Sequence, residues 1–256
     1  MKKGILITCG CSWTYGVGVG YTNHMTLEEH MATAWDEKTC DNLSFRGILA
    51  KKYGLDTVNF SEGGSSNQRQ FRLIKEYFAS SLEQLLNEYE NVIVLHGITS
   101  TARNELYIND KSSLVNFKYD ISSEEEWSKA FVTHFYDHDN EVNRLADEMR
   151  FINVFYNTAG IKNLWFDTFN HHTYGTDIAN LLGAADNPRD LLSVMAIHNG
   201  FDGIDDEYHK SSWVVDSPRV AFLIEKGHLN PISKHPTEKG HKLIAEIIDT
   251  QIGQMI

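Results

Sequence analysis

Cysteine is scarce in this sequence: Cys9, Cys11 and Cys40 are the three among 256 residues. An odd number, in a chain long enough to bury a large core unaided, excludes a disulfide framework and points to a reducing compartment. Proline is rare as well, with four residues, and no Pro-rich or Ser/Gly-rich linker and no internal repeat divides the chain. Long hydrophobic runs are missing. No stretch of about 18 apolar residues occurs, so nothing in the sequence is expected to span a bilayer. Lys2-Lys3 followed by Ile5-Leu6-Ile7 imitates a signal peptide. The apolar run is too short, however, and enters Thr8-Cys9-Gly10 without a small-residue cleavage pattern. Positive charge is outweighed: 23 Lys and Arg against 35 Asp and Glu leave a net charge of −12. Such a field repels phosphate backbones and anionic membrane surfaces, and no Lys/Arg run offsets it, so nucleic acid is not an expected partner.

Apolar and aromatic residues are plentiful, at 41% and 11%, which excludes a disordered chain. The length suits one domain over residues 1–256. The continuous apolar run within Gly4–Thr8 predicts a buried parallel strand. Leu43–Tyr53 reads as a helix with Phe45, Ile48 and Leu49 on one face, capped by Asp41 or Asn42 and ended by Gly54. Val58 and Phe60 mark a second strand. Phe71, Ile74, Phe78, Leu82, Leu85 and Tyr89 recur at helical spacing, and Val92–Leu95 makes a third strand. A helix through Val142, Leu145, Met149, Ile152 and Tyr156 closes at Gly160, followed by a strand at Leu164–Phe166 and another at Val220–Ile224. Leu243, Ile244, Ile247, Ile248 and Ile252 line a terminal helix. Two polar stretches, about 104–139 (with a helix near Glu124–Tyr136) and about 171–218, read as insertions. Strand–helix alternation predicts an α/β protein, a three-layer α/β/α sandwich around a parallel sheet, with chemistry at the carboxyl ends of the strands.

Four segments fall at those ends: Gly10-Cys11-Ser12-Trp13-Thr14-Tyr15-Gly16, Asn59 to Asn67, His96 to Arg103, and His235 to His241 before the last helix. A serine hydroxyl is a weak nucleophile unless a base lies within hydrogen-bond reach and donors face the developing oxyanion. Ser12 with His235 supplies the first. Backbone N–H groups of Ser12 and Gly64 supply the second, since glycine lets the backbone approach a reacting centre closely. Ser12 as a plain helix cap and Gly63-Gly64 as a plain turn are the competing readings.

These segments, in this order, resemble the SGNH (GDSL-type) hydrolases. The first block is similar to Gly-Asp-Ser-x-Thr-x-Gly with Cys11 in place of Asp. Gly64 matches the family's oxyanion glycine and His235 its base. The resemblance covers both termini and the first hundred residues, and it implies a flavodoxin-like fold, O-acyl ester hydrolysis and no cofactor or metal. Two departures stand out. The oxyanion asparagine of the third block is absent, with Ile98 or Thr99 near its place. The acid three residues before the base is replaced by Ile232. His235 then needs another orienter, a main-chain carbonyl or a distant carboxylate such as Asp202 or Asp216.

The expected catalytic residues are therefore Ser12, His235, Gly64 and Thr99. Trp13 and Tyr15 are candidate substrate contacts, with packing as the competing reading, Asn67 is a further candidate contact, and Arg103 is a candidate for an anionic substrate group or a surface cap. The aromatics beside Ser12 and the polar insertions favour an acetylated carbohydrate or another small-molecule ester. The alternatives are a catalytically decayed binding or structural protein on the same scaffold, and a metal hydrolase built on His134, His138, His171 and His172, since His at i and i+4 of a helix can bind zinc. Relatives of this type also occur in phages, so the expected location is cytoplasmic or virion-associated. Gly16-Val17-Gly18-Val19-Gly20 fails as a dinucleotide loop because it begins too far after the strand.

Overall fold

The computed structural model describes residues 2–108, 113–118, 126–169, 172–174, 178–182, 190–202 and 217–256. Most of the 171–218 stretch, including His171 and Asp216, lies outside the described residues, as does Glu124.

Four parallel strands form the central sheet: β1 (Ile5–Cys9), β2 (Asp56–Asn59), β3 (Val92–Ile98) and β6 (Lys162–Asp167), in the order β2-β1-β3-β6. Ile5 pairs with both Asp56 and Val92, and Ile98 pairs with Asp167. Side chains alternate across a strand, and β1 and β3 are buried on both faces, which is why they read as near-continuous apolar runs, whereas β2 at the sheet edge is exposed to half-buried. Leu6, Ile93, Leu95, Leu164 and Phe166 point to one face. There they meet α4 (Phe45–Tyr53), α8 (Leu191–His198), α9 (Pro218–Glu225) and α10 (Glu238–Met255). Ile5, Ile7, Val92, Val94 and Trp165 point to the other and meet the two long helices α5 (Asn67–Glu88) and α7 (His138–Ala159). The three-layer α/β/α arrangement expected from the sequence is observed.

The remaining elements are short. A one-turn helix α1 (Ser12–Tyr15), α2 (Leu27–Thr33) and α3 (Glu37–Leu43) fill the β1–α4 connection. An antiparallel hairpin, β4 (Arg103–Ile108) with β5 (Ser113–Lys118), and α6 (Glu126–His134) lie between β3 and α7. No helix among the described residues is long and apolar enough to cross a membrane.

Three expectations are corrected. Asp41 and Asn42 do not cap α4; they lie inside α3, whose cap is Asp36, and Ser44 precedes α4. Val220–Ile224 is not a strand but part of α9. The Ser217 side chain accepts from the Val220 N–H at 3.3 Å and Pro218 occupies the first turn, an N-terminal signature that decides for helix where the apolar run alone fits either element. His134 ends α6 while His138 begins α7, so the two are not an i, i+4 pair on one helix.

The strand order reverses between β1 and β3, since the chain leaves β1 to one side for β2 and returns to the other for β3. In open parallel sheets ligands bind in the crevice at such a reversal, outside the carboxyl ends.

Candidate active site

The turn after β1 is built around Thr14. A β-carbon on Gly10 would lie 2.1 Å from the Thr14 Oγ1, and one on Gly97 of β3 would lie 2.3 Å from the same atom. Both positions must therefore be glycine for Thr14 to wedge between the strand ends. Cys11 is the cap residue of α1 and Ser12 is its first residue. Ser12 is not a side-chain cap, because the cap position falls one residue earlier. Buried Arg46 grips the far end of the turn: its guanidinium donates to the Tyr15 carbonyl at 3.1 and 3.3 Å and pairs with Asp41 at 2.6 Å.

The second component arrives from the other end of the chain. His235 Nε2 lies 2.7 Å from the Ser12 Oγ, across 223 residues of sequence. The loop carrying His235 is closed by Asn230, whose N–H and side-chain Nδ2 both donate to the His235 carbonyl, at 2.9 and 3.1 Å. It seats on the Gly16–Gly20 segment. A β-carbon on Gly18, which has φ +106°, would lie 2.4 Å from the Pro236 carbonyl and 3.0 Å from the His235 Cβ. The glycine-rich segment is thus the floor of the histidine loop.

No carboxylate orients His235. Its Nδ1 lies 2.9 Å from the Ser233 Oγ, and the same oxygen lies 2.9 Å from the His30 Nε2 and 3.1 Å from the Asn230 Oδ1. Asp202, a candidate carboxylate, is exposed at the surface. Asn230 Oδ1 can only accept, so the Ser233 hydroxyl donates to it and accepts from both imidazoles. His30 Nδ1 is buried without a partner. A bare lone pair there is cheaper than an orphaned N–H, which places the His30 proton on Nε2. By the same count the His235 proton sits on Nδ1. Its Nε2 lone pair is then free to accept the Ser12 hydroxyl proton. Burial pushes the His235 imidazole down to about 4, with His30 and Arg103 adding to the effect and the Ser233 main chain opposing it. His30 is also lowered by burial.

The two backbone donors expected from the sequence are uncommitted. Among the described residues the N–H groups of Ser12 and Gly64 donate to no protein acceptor. Gly64 has φ +72° and open space where a β-carbon would be. The Thr99 backbone is held by Asn67. Its N–H donates to Asn67 Oδ1 and its carbonyl accepts from Asn67 Nδ2, both at 2.9 Å, while its Oγ1 is buried without a partner. Asn67 is accordingly buried and spends its amide tying α5 to the end of β3, so it is not a free substrate contact. Trp13 takes the packing role. It is 2% exposed and packs on Phe169 with ring centroids 5.8 Å apart, as part of the core. Tyr15 is part-exposed and packs on Trp35, whose ring in turn covers Gly63. Arg103 stacks over Phe169, 5.4 Å from the ring centroid.

The histidines of the metal alternative do other work. His172 Nδ1 lies 2.9 Å from Asp167 Oδ1, which also accepts from the Tyr174 hydroxyl at 2.7 Å. His138 stacks on His172 at 6.5 Å. No group of three or more His, Cys, Asp or Glu among the described residues is placed to hold a metal ion. The residues that sequence reasoning missed are Ser233, Asn230 and His30.

No protein-family model matches the chain, and no curated protein sequence does. The chain is similar to GDSL-type proteins and esterases of known structure. A protein assigned to the G-D-S-L lipolytic family from Desulfitobacterium hafniense matches at 10% identity over 96% of this chain and 98% of its own, with a TM-score of 0.44. The psychrotrophic esterase EstA from Pseudoalteromonas sp. matches at 12% identity over 98% and 97%, TM-score 0.41. A variant of the acetyl-xylooligosaccharide esterase Axe2 from Geobacillus matches at 13% identity over 99% and 97%, TM-score 0.41.

Proposed function

We propose that the protein is a divergent SGNH-type serine ester hydrolase that acts by acyl transfer to Ser12. The observation that carries this reading is the 2.7 Å contact between the Ser12 Oγ and the His235 Nε2 at the sheet's reversal point. As the Ser12 oxygen bonds to the ester carbonyl carbon, His235 Nε2 takes its proton, and the Ser12 and Gly64 N–H groups donate to the carbonyl oxygen as it becomes an oxyanion. Collapse expels the alcohol, which receives that proton from Nε2. Water, losing a proton to the same nitrogen, then attacks the acyl-serine, and as the Ser12–acyl bond breaks to release the acid the Ser12 Oγ takes that proton back from Nε2. Ser233 accepts the Nδ1–H throughout, which fixes the tautomer but supplies no negative charge to the imidazolium. The base is weaker than in a triad and stays neutral, hence competent, in mildly acidic solution. Short O-acyl groups on small molecules or carbohydrates are the substrates that suit the exposed and part-exposed aromatic rings of Trp35 and Tyr15.

The test is hydrolysis of 4-nitrophenyl acetate by the wild type and by Ser12→Ala and His235→Ala. Both variants should lose about 10³-fold or more of kcat. Turnover in Ser12→Ala equal to the wild type would reject the assignment. A second reading, a decayed binding protein on this scaffold, is favoured by the neutral Ser233 in place of a carboxylate. A serine that fails to react with a fluorophosphonate would support it.

A further inference from the structure

A cavity of about 410 Å³ lies between α5, the start of β4 and α7, and its lining includes Asn67, three residues after Gly64. Four cations line it, and three are matched by carboxylates. Arg72 holds Glu105 through two bonds of 2.8 Å and also Glu76, Lys75 pairs with Glu148, and Arg144 pairs with Glu141 at 2.7 Å. Arg103 is the exception. It forms no ion pair among the described residues, and its Nη1 is buried with no hydrogen-bond partner. The one described contact of its side chain is the Phe169 ring, which packs against Trp13, the neighbour of Ser12. Its charge is close enough to His235 to oppose protonation there.

A buried guanidinium N–H left without an acceptor is costly, and the structure here spends that cost in a chain of net charge −12, where carboxylates are abundant. An acid could have been placed against Arg103 as it was against its three neighbours. The planar fork matches a carboxylate in two parallel bonds. We infer that Arg103 is the binding site for a carboxylate carried by the substrate, so that the preferred esters are anionic. This rests on the Ser12 reading for turnover but not for binding. A carboxylate seated on Arg103 also cancels the charge that opposes His235 protonation, so an anionic substrate strengthens the base that acts on it.

The carboxylate can sit on the acyl or the alcohol side, and paired substrates distinguish them. Mono-4-nitrophenyl succinate is compared with 4-nitrophenyl acetate, and 4-acetoxybenzoate with phenyl acetate. The expected result is a tenfold or greater advantage in kcat/KM for one anionic ester over its neutral counterpart. Arg103→Gln should abolish the ratio and Arg103→Lys should keep part of it. The acid limb of kcat should lie at higher pH for the favoured anionic ester than for its neutral partner, a difference absent in Arg103→Gln. Equal kcat/KM for both members of each pair, or a ratio that survives in Arg103→Gln, would overturn the inference. Binding is read separately by titrating monomethyl succinate and 4-methoxybenzoate into the Ser12→Ala protein, followed by amide chemical shifts. Tenfold weaker binding of the favoured anion when Arg103→Gln is added supports the site even if no ester is hydrolysed, and equal affinity refutes it.

Discussion

Replacing Ser233 by aspartate puts a carboxylate where the structure has a neutral hydroxyl, 2.9 Å from the His235 Nδ1. The carboxylate and an imidazolium about 4 Å apart attract by about 4 kcal/mol at an effective dielectric near 20. Desolvating the new charge offsets part of this, and the net effect is a rise of about one to three pKa units in His235. A base works only when unprotonated, so the acid limb of kcat/KM follows its pKa. The limb should move from about 4 in the wild type to about 5–7 in Ser233→Asp. Above that limb the variant should turn over faster, because the stronger base is matched to neutral pH and its cation is stabilised as it forms. Ser233→Ala should do the opposite. It orphans the Nδ1–H at a cost of about 1–3 kcal/mol, which is about 5- to 150-fold in rate. The assay is the pH profile of 4-nitrophenyl acetate hydrolysis, with the His235 ring titrated by NMR as a readout independent of turnover. A wild-type limb near the ordinary histidine value, or a limb that Ser233→Asp leaves in place, would refute the orientation of His235 by Ser233.

Other outcomes follow from the packing. Gly18→Ala forces a left-handed backbone on alanine and drives its β-carbon against the Pro236 carbonyl, so it should displace His235, cutting activity tenfold or more and lowering thermal stability by about 1–3 kcal/mol. Asn67→Ala leaves the buried N–H and carbonyl of Thr99 unpaired and should cost about 2–4 kcal/mol in urea unfolding; a loss within experimental error would refute that account. His96 and His241 are fully buried and pushed down to about 3. Each is neutral in the fold and protonates more readily when unfolded, so its stabilisation is complete above about pH 6.5 and is lost as pH falls towards 3. Stability should fall by about 1.4 kcal/mol per pH unit for each in that window, and His241→Gln should make the fall shallower by that amount.

The sheet was legible because strands buried on both faces leave continuous apolar runs, as at Ile5-Leu6-Ile7 and Val92–Leu95. The long helices were legible from their apolar spacing, and Gly54 and Gly160 end α4 and α7 in left-handed conformation as expected. Val220–Ile224 misled because five apolar residues fit a strand or a buried helix alike. The Ser217-Pro218 pair upstream carries the helix signal, and it is short-range chemistry rather than periodicity. The meeting of Ser12 and His235 could be anticipated because the first block follows β1 among glycines and the last resembles a family block before the final helix. Ser233 could not, since the resemblance directs attention three residues before His235 and the orienting hydroxyl lies two before. Nor could His30, which reaches Ser233 across 203 residues from a polar segment with no motif. The directions of Trp13 and Asn67 were not legible, because a place in a sequence block does not say which way a side chain points. One sinks into the core and the other ties α5 to β3.

The account turns on a single activated hydroxyl. Intact-mass and peptide mapping after treatment with a fluorophosphonate reports it directly. One adduct on Ser12 is predicted, slowed by about 10³-fold or more in His235→Ala and absent in Ser12→Ala. An adduct on another serine, or equal labelling of the wild type and Ser12→Ala, would contradict it.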